Sequence, residues 1–199
     1  MYKRQDDLLR GGKAGADYLL SLHEGTLWIA DEVNSTPILI PQTHEDLASL
    51  DRAIAIMQAK NRPFIVDPIL DPIHFGFTKS IVRYHHVREK HPDVEMMLGV
   101  GNITELTHAD TSGMNTLLLG ICSELNINHI LATQVSRHAS RAIKEADLAR
   151  RILFAAKEHD TLPKHINAGL MALHETAPFP YSLNEIEELA TQIKDPSYR

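Results

Sequence analysis

Cysteine is almost missing from this 199-residue chain: Cys122 stands alone, so no internal disulfide can form. Aromatic residues make up only 6%, and no apolar run approaches the roughly 20 residues of a membrane helix. No Lys/Arg run is longer than two, and 26 acidic against 20 basic residues leave a net charge of -6 with a pI near 6.0. Such a surface is not built to neutralise nucleic-acid phosphates or to lie on anionic lipid. The opening MYKRQDDLLR offers no apolar stretch for a signal peptide. Together these absences predict a cytoplasmic protein with neither nucleic acid nor membrane as partner. What the chain does have is 43% hydrophobic residues, enough for the core of one domain or a large piece of one, and 12 histidines.

No solenoid repeat, low-complexity tract or Pro/Gly/Ser linker divides the sequence. Short apolar runs of strand length recur instead, at YLLSL (18–22), PILI (37–40), PFIV (63–66), EMMLGV (95–100) and HILATQV (129–135), each followed by a segment of helical character. Thr43 and Asp46 read as a capping box for a helix carrying Leu47, Leu50, Ile54 and Met57 on one face. Further helices are predicted over KSIVRYHHVREKH, over TSGMNTLLLGICSEL behind an Asp110 N-cap cluster, from about Ser140 to His159, and from Ser182 to Lys194 with Ser182 and Glu185 as a second box. Alternation of this kind implies right-handed crossovers and a parallel sheet. Residues 6–17 read as a loop arriving from something earlier, and MYKRQ as a leader outside the fold. The expected architecture is therefore a (β/α)8 barrel truncated to its last five βα units. Residues 6–160 would supply strands four to eight, and 161–199 an extension with a final helix in the same domain. An open sheet is the alternative. A truncated barrel would expose YLLSL as an unpaired edge through which copies could aggregate or assemble, a homodimer included.

In parallel α/β folds chemistry gathers at the carboxyl ends of strands. Those ends carry Ser21, His23 and Glu24; then Pro41, Gln42 and His44; then the loop DPILDPIHFGFTK (67–79); then Gly99, Val100, Gly101 and Asn102; and last Gln134, Ser136 and Arg137. Asp67-Pro68 and Asp71-Pro72 put two carboxylates on stiffened backbone directly after a buried strand. A fixed carboxylate can accept the paired N–H groups of an amino-pyrimidinone ring, although aspartates here can equally cap the following turn. Gly99 and Gly101 let backbone N–H groups approach an anion, or serve only the turn. The histidines lack zinc spacing, so no bound metal is expected from them. His23 and His74 remain as ligand contacts. Cys122 sits in an apolar helix and reads as a buried thiol.

IVDPILDPIHFGFTKS, then MLGVGNITEL, then ILATQVSRHASRAIKEADLAR resemble the last three units of the dihydropteroate synthase, or pterin-binding, family. The likeness is closest to its branch associated with tetrahydromethanopterin-linked one-carbon metabolism. The resemblance implies a transferase of pteridine cofactor biosynthesis that condenses a reduced pterin methyl diphosphate with an arylamine. Its alternative is a non-catalytic pterin-binding or assembly protein. The family's ring-holding aspartate falls on Asp67 or, by distance to Gly76-Phe77-Thr78-Lys79, on Asp71, and a further pterin contact on Ser21 or His23. The family's lysine after its seventh strand is replaced by Gly99-Val100-Gly101-Asn102, and its Arg-x-His after the eighth by Gln134-Val135-Ser136 with Arg137 next. Anion stabilisation would then rest on backbone around Gly99–Asn102, on Lys79 or Arg137, or on a metal such as Mg2+ held by preceding strands.

Overall fold

The computed structural model describes residues 2–171 and 180–192. Five strands form where the apolar runs lie: β1 (Tyr18–Leu22), β2 (Thr36–Leu39), β3 (Ile65–Val66), β4 (Met97–Gly99) and β5 (His129–Leu131). All pairings are parallel, in a three-stranded sheet β1-β2-β3 and a two-stranded sheet β4-β5. A single bridge from Val66 to Met96 joins the two. Between the strands run α1 (Tyr2–Lys13), α2 (Trp28–Glu32), α3 (Leu47–Ala59), α4 (Phe77–Lys90), α5 (Gly101–Thr104), α6 (Thr111–Glu124), α7 (Ala142–Glu158) and α8 (Leu183–Gln192).

The expected barrel is overturned. Among the described residues there are five strands in two short sheets, and β1 and β5 each pair on one side only. Closure into a barrel requires every strand to pair on both sides. The loop expected over residues 6–17 is corrected as well. Residues 2–13 form α1, because Leu8 and Leu9 pack on the main core and Gly12 lies against Val33, where a Cβ would come within 2.8 Å of its side chain.

Alternation along the strands divides the apolar residues between two faces. Leu22, Leu39, Val66, Met96 and Leu98 belong to the main core with Leu50, Ile54 and Met57 of α3 and Tyr84 and Val87 of α4. Each such aliphatic side chain stabilises the fold by about 1.5–3 kcal/mol, an upper range for area-based reckoning. Ile38, Ile65 and Met97 form a separate small cluster on the other face. Tyr18, Leu20 and Leu131 beside them are 54%, 40% and 41% exposed. The helices thus cover one side of the sheet far better than the other.

Helix starts follow the sequence with one change. Asp46, not Thr43, caps α3, its carboxylate accepting from the Ser49 amide at 3.0 Å. Asp110 caps α6 through the amides of Ser112 and Gly113. Ser182 and Glu185 form the reciprocal box at α8. Residues 193 and 194 of that expected helix, and His174, lie outside the described residues. No described helix is long and apolar enough to cross a membrane.

Candidate functional site

Ladder hydrogen bonds carry the parallel pairing past the strands and so place their carboxyl ends side by side. The Asp67 amide donates to Leu39 O at 2.8 Å, the Ile40 amide to Leu22 O at 2.8 Å and the Val100 amide to Leu131 O at 3.0 Å. Asp67 therefore sits on the last rung between β2 and β3. Its Oδ1 accepts from the Ile69 amide at 2.8 Å and from the Tyr84 hydroxyl at 2.7 Å. Its Oδ2 makes no hydrogen bond with any described residue. Burial pushes the Asp67 carboxyl above its ordinary value, against the pull of these two donors and of Arg83. Burial together with the Asp67 charge drives the Tyr84 hydroxyl well upward.

Four residues further on, Asp71 is buried and fully engaged. Oδ2 accepts from Arg83 Nη2 at 2.9 Å and from Ser80 Oγ at 3.0 Å, and Oδ1 meets His44 Nδ1. Burial opposes its charge, but Arg83, Ser80 and His44 together hold the carboxyl below its ordinary value. Arg83 is itself buried and donates to the carbonyls of Pro68, at 2.6 Å, and Ile69. The backbone of the Asp-Pro loop is thus laced to α4. Gly76 makes the turn into that helix at φ +124, with its Cα packed so close to Asp71 that a Cβ would stand 3.0 Å from Oδ2.

A cavity of about 610 Å³ opens over this loop, lined by His44, Glu45, Asp71, His74, Phe75, Phe77, Lys79 and Arg83 among others. That volume suits a bicyclic ligand with a charged tail. No side chain caps the start of α4, whose first residues line the same space. His74 is exposed in the left-handed region at φ 70, and Lys79 pairs with Glu45 at 3.1 Å on the surface.

The remaining strand ends are built differently. Ser21 is held at φ 65, and His23 caps the turn Glu24–Thr26, its Nδ1 accepting from the Gly25 amide at 3.2 Å. Asn102 donates to Leu70 O at 2.7 Å and so ties α5 to the Asp-Pro loop. Gly101 leaves room for Thr133, whose Oγ1 would lie 2.9 Å from a Cβ there, whereas the space beside Gly99 is open. Glu105 receives the amides of Val135 and Ser136, both at 2.8 Å. Although burial opposes it, those amides and the hydroxyls of Ser136 and Thr133 bring the Glu105 carboxyl down to about 2. Gln134 and Arg137 are exposed beside this braced loop. Burial raises the Cys122 thiol to about 12. Among the described residues no three His, Cys, Asp or Glu side chains converge as metal ligands.

The structure therefore brings Asp67, Asp71, His74 and Lys79 into one loop and helix start, with Asn102 tied to it. Ser21, His23, Gln134, Ser136 and Arg137 stay at neighbouring strand ends, and among the described residues no hydrogen bond or ion pair links them to that loop. Sequence reasoning placed His44 at a strand end but ranked His23 and His74 above it, and it overlooked Arg83 and Tyr84. Their signal was present: Ser80, Arg83, Tyr84 and Val87 recur at helical spacing on the buried face of α4, where a basic residue needs a partner.

No family model matches this chain. It is similar to Uncharacterized protein MJ0107 of Methanocaldococcus jannaschii, 30% identical over 183 residues, which covers 83% of this chain and 35% of that protein. The chain thus spans about a third of the length of that relative.

Proposed function

We propose that this chain binds a reduced pterin at the carboxyl ends of β3 and β4 and, in the manner of the dihydropteroate synthase-like family, condenses its methyl diphosphate with an arylamine. The observation that carries the reading is the Asp-Pro loop. Asp67 keeps an unpaired carboxylate oxygen on the last rung of β3, and the same loop runs on through Asp71 into the lining of a cavity of about 610 Å³ that includes Phe75, Phe77 and Lys79. Ring N–H groups find their acceptor at Asp67, since both oxygens of Asp71 are already taken. Phenyl faces suit a flat heterocycle, and Lys79 with the uncapped start of α4 suits a diphosphate. On this reading Lys79 and that helix start, both after β3, take over the anion from the lysine and arginine that the resemblance lacks after β4 and β5.

A reaction of this class asks the protein mainly to position the two reactants and to stabilise the departing anion. The same reading puts the protein in the cytoplasm, as its single cysteine suits. The alternative, pterin binding without transfer, is favoured by one observation: Gly99–Asn102 and Gln134–Ser136 carry no cation where the family has one. Calorimetric titration with a reduced pterin tests the binding, and diphosphate release with an arylamine present separates the two readings. Wild-type chain is expected to bind, with Asp67→Asn weakening affinity roughly tenfold. Equal affinity of wild type and Asp67→Asn, or no binding at all, would contradict the proposal.

A further inference from the structure

We infer that His44 and Asp71 form a proton-carrying dyad in the cavity over the Asp-Pro loop, His44 exchanging a proton with bound substrate and Asp71 acting as the positioning residue for its ring. Four histidine–carboxylate pairs occur among the described residues: His44–Asp71, His85–Glu89, His91–Asp51 and His129–Glu95. In the second and fourth both partners are exposed, and in the third the carboxylate is shared with Lys90 at the far end of α4. His44–Asp71 alone joins a carboxylate with 6% side-chain exposure to an imidazole with 57% that lines a cavity.

The geometry is that of a histidine whose tautomer is set from behind. Asp71 cannot turn away, because Arg83 and Ser80 hold Oδ2 while Arg83 is anchored to two backbone carbonyls. With Nδ1–H directed at Oδ1, proton exchange falls to Nε2, which bonds no described residue. The charged groups around the ring are Glu45 and Asp46 on its own loop, Asp71 and His74 on the Asp-Pro loop, and Lys79 and Arg83 on α4. Of these, Glu45 and Lys79 pair with each other and Asp46 caps α3.

Resting on the function proposed above for the identity of the leaving group, the step balances as follows. The carbon–oxygen bond to diphosphate breaks with its electron pair moving to oxygen, and that oxygen takes the proton from His44 Nε2. The amine nitrogen forms the new carbon–nitrogen bond, and the proton it sheds returns to Nε2.

The test uses the full chain, inorganic diphosphate as the probe and nitrogen-15 NMR of the imidazoles. Saturating diphosphate is expected to convert His44 Nε2 to its protonated signal, and affinity is expected to fall as pH rises and that proton is lost. His44→Gln should abolish that pH dependence and weaken binding roughly tenfold. Asp71→Asn should shift the His44 ring toward the other tautomer. Because that change leaves Arg83 buried without its carboxylate and can unfold the chain, His44→Gln, at an exposed position, decides on its own. Unmoved His44 signals at saturation, a pH dependence that survives in His44→Gln, or no diphosphate binding would each overturn the dyad. A reduced pterin without diphosphate, titrated in parallel, keeps the two proposals apart: if it fails to bind while diphosphate still protonates His44, the pterin is wrong and the dyad stands.

Discussion

Asp67 and Asp71 stand four residues apart in one loop, both followed by proline, and α4 gives them opposite electrostatic fates. Asp67 receives a neutral hydroxyl from Tyr84 and one amide, and burial prevails, so its carboxyl is pushed up. Asp71 receives a guanidinium, a hydroxyl and an imidazole, and these prevail over burial, so its carboxyl is held down. The largest part of the difference lies in two adjacent positions of the helix, Arg83 facing Asp71 and Tyr84 facing Asp67, with Ser80 and His44 adding to the side of Asp71. Burial alone does not decide a carboxylate's charge; the donor packed against it does.

The sharpest way to break the contrast is to remove the cation. Arg83→Met leaves Asp71 buried without its countercharge and is expected to cost about 3–5 kcal/mol in urea unfolding. If the loss is below 1 kcal/mol, His44 and Ser80 suffice and Arg83 is not what separates the two aspartates. Tyr84→Phe removes only a neutral donor and should cost about 1–2 kcal/mol by the same measurement, while raising Asp67 further. Glu105 supplies a third case, a carboxylate held by backbone amides and hydroxyls without any cation. Glu105→Gln is expected to cost about 1 kcal/mol, given its partial exposure, and to loosen the loop at Val135 and Ser136, which amide hydrogen exchange would detect.

Smallest in magnitude, but with opposite signs, are the pH effects. A depressed carboxyl contributes stability that is present above its unfolded value and is lost as pH falls through its folded value. A raised carboxyl disfavours the ionised native state, so its contribution improves as pH falls through the folded value toward the unfolded one. In an acid-unfolding series, Asp71→Asn should therefore flatten the loss of stability below the ordinary aspartate range. Asp67→Asn should steepen the net loss just above that range. Parallel curves for the two variants would show that the aspartates share one environment.

Much of this arrangement is legible in the residues. Every apolar run of strand length became a strand, because short β-branched and aliphatic runs bounded by Pro, Asn and Asp have few other ways to be buried. The Asp110 and Ser182 caps were readable for the same local reason. The sheet's closure was not: local patterns specify parallel strands and crossovers, but whether edges meet is a global property, and here β1 and β5 remain apart. Residues 2–13 misled as well, since seven charged or polar residues and two glycines obscure the pair Leu8 and Leu9 that docks α1. At the site, the Asp-Pro pairs were visible but their partners were not. His44 reaches Asp71 across 27 positions and Arg83 across 12, distances at which only the folded loop reveals who meets whom.

The most direct test of the contrast between these two carboxylates is a carbon-13 NMR titration of the aspartate side chains in the intact protein, with Asp67 and Asp71 assigned through their asparagine variants. The account expects Asp71 to titrate below the ordinary aspartate range and Asp67 above it. The reverse order, or coincident titration of the two, would contradict it.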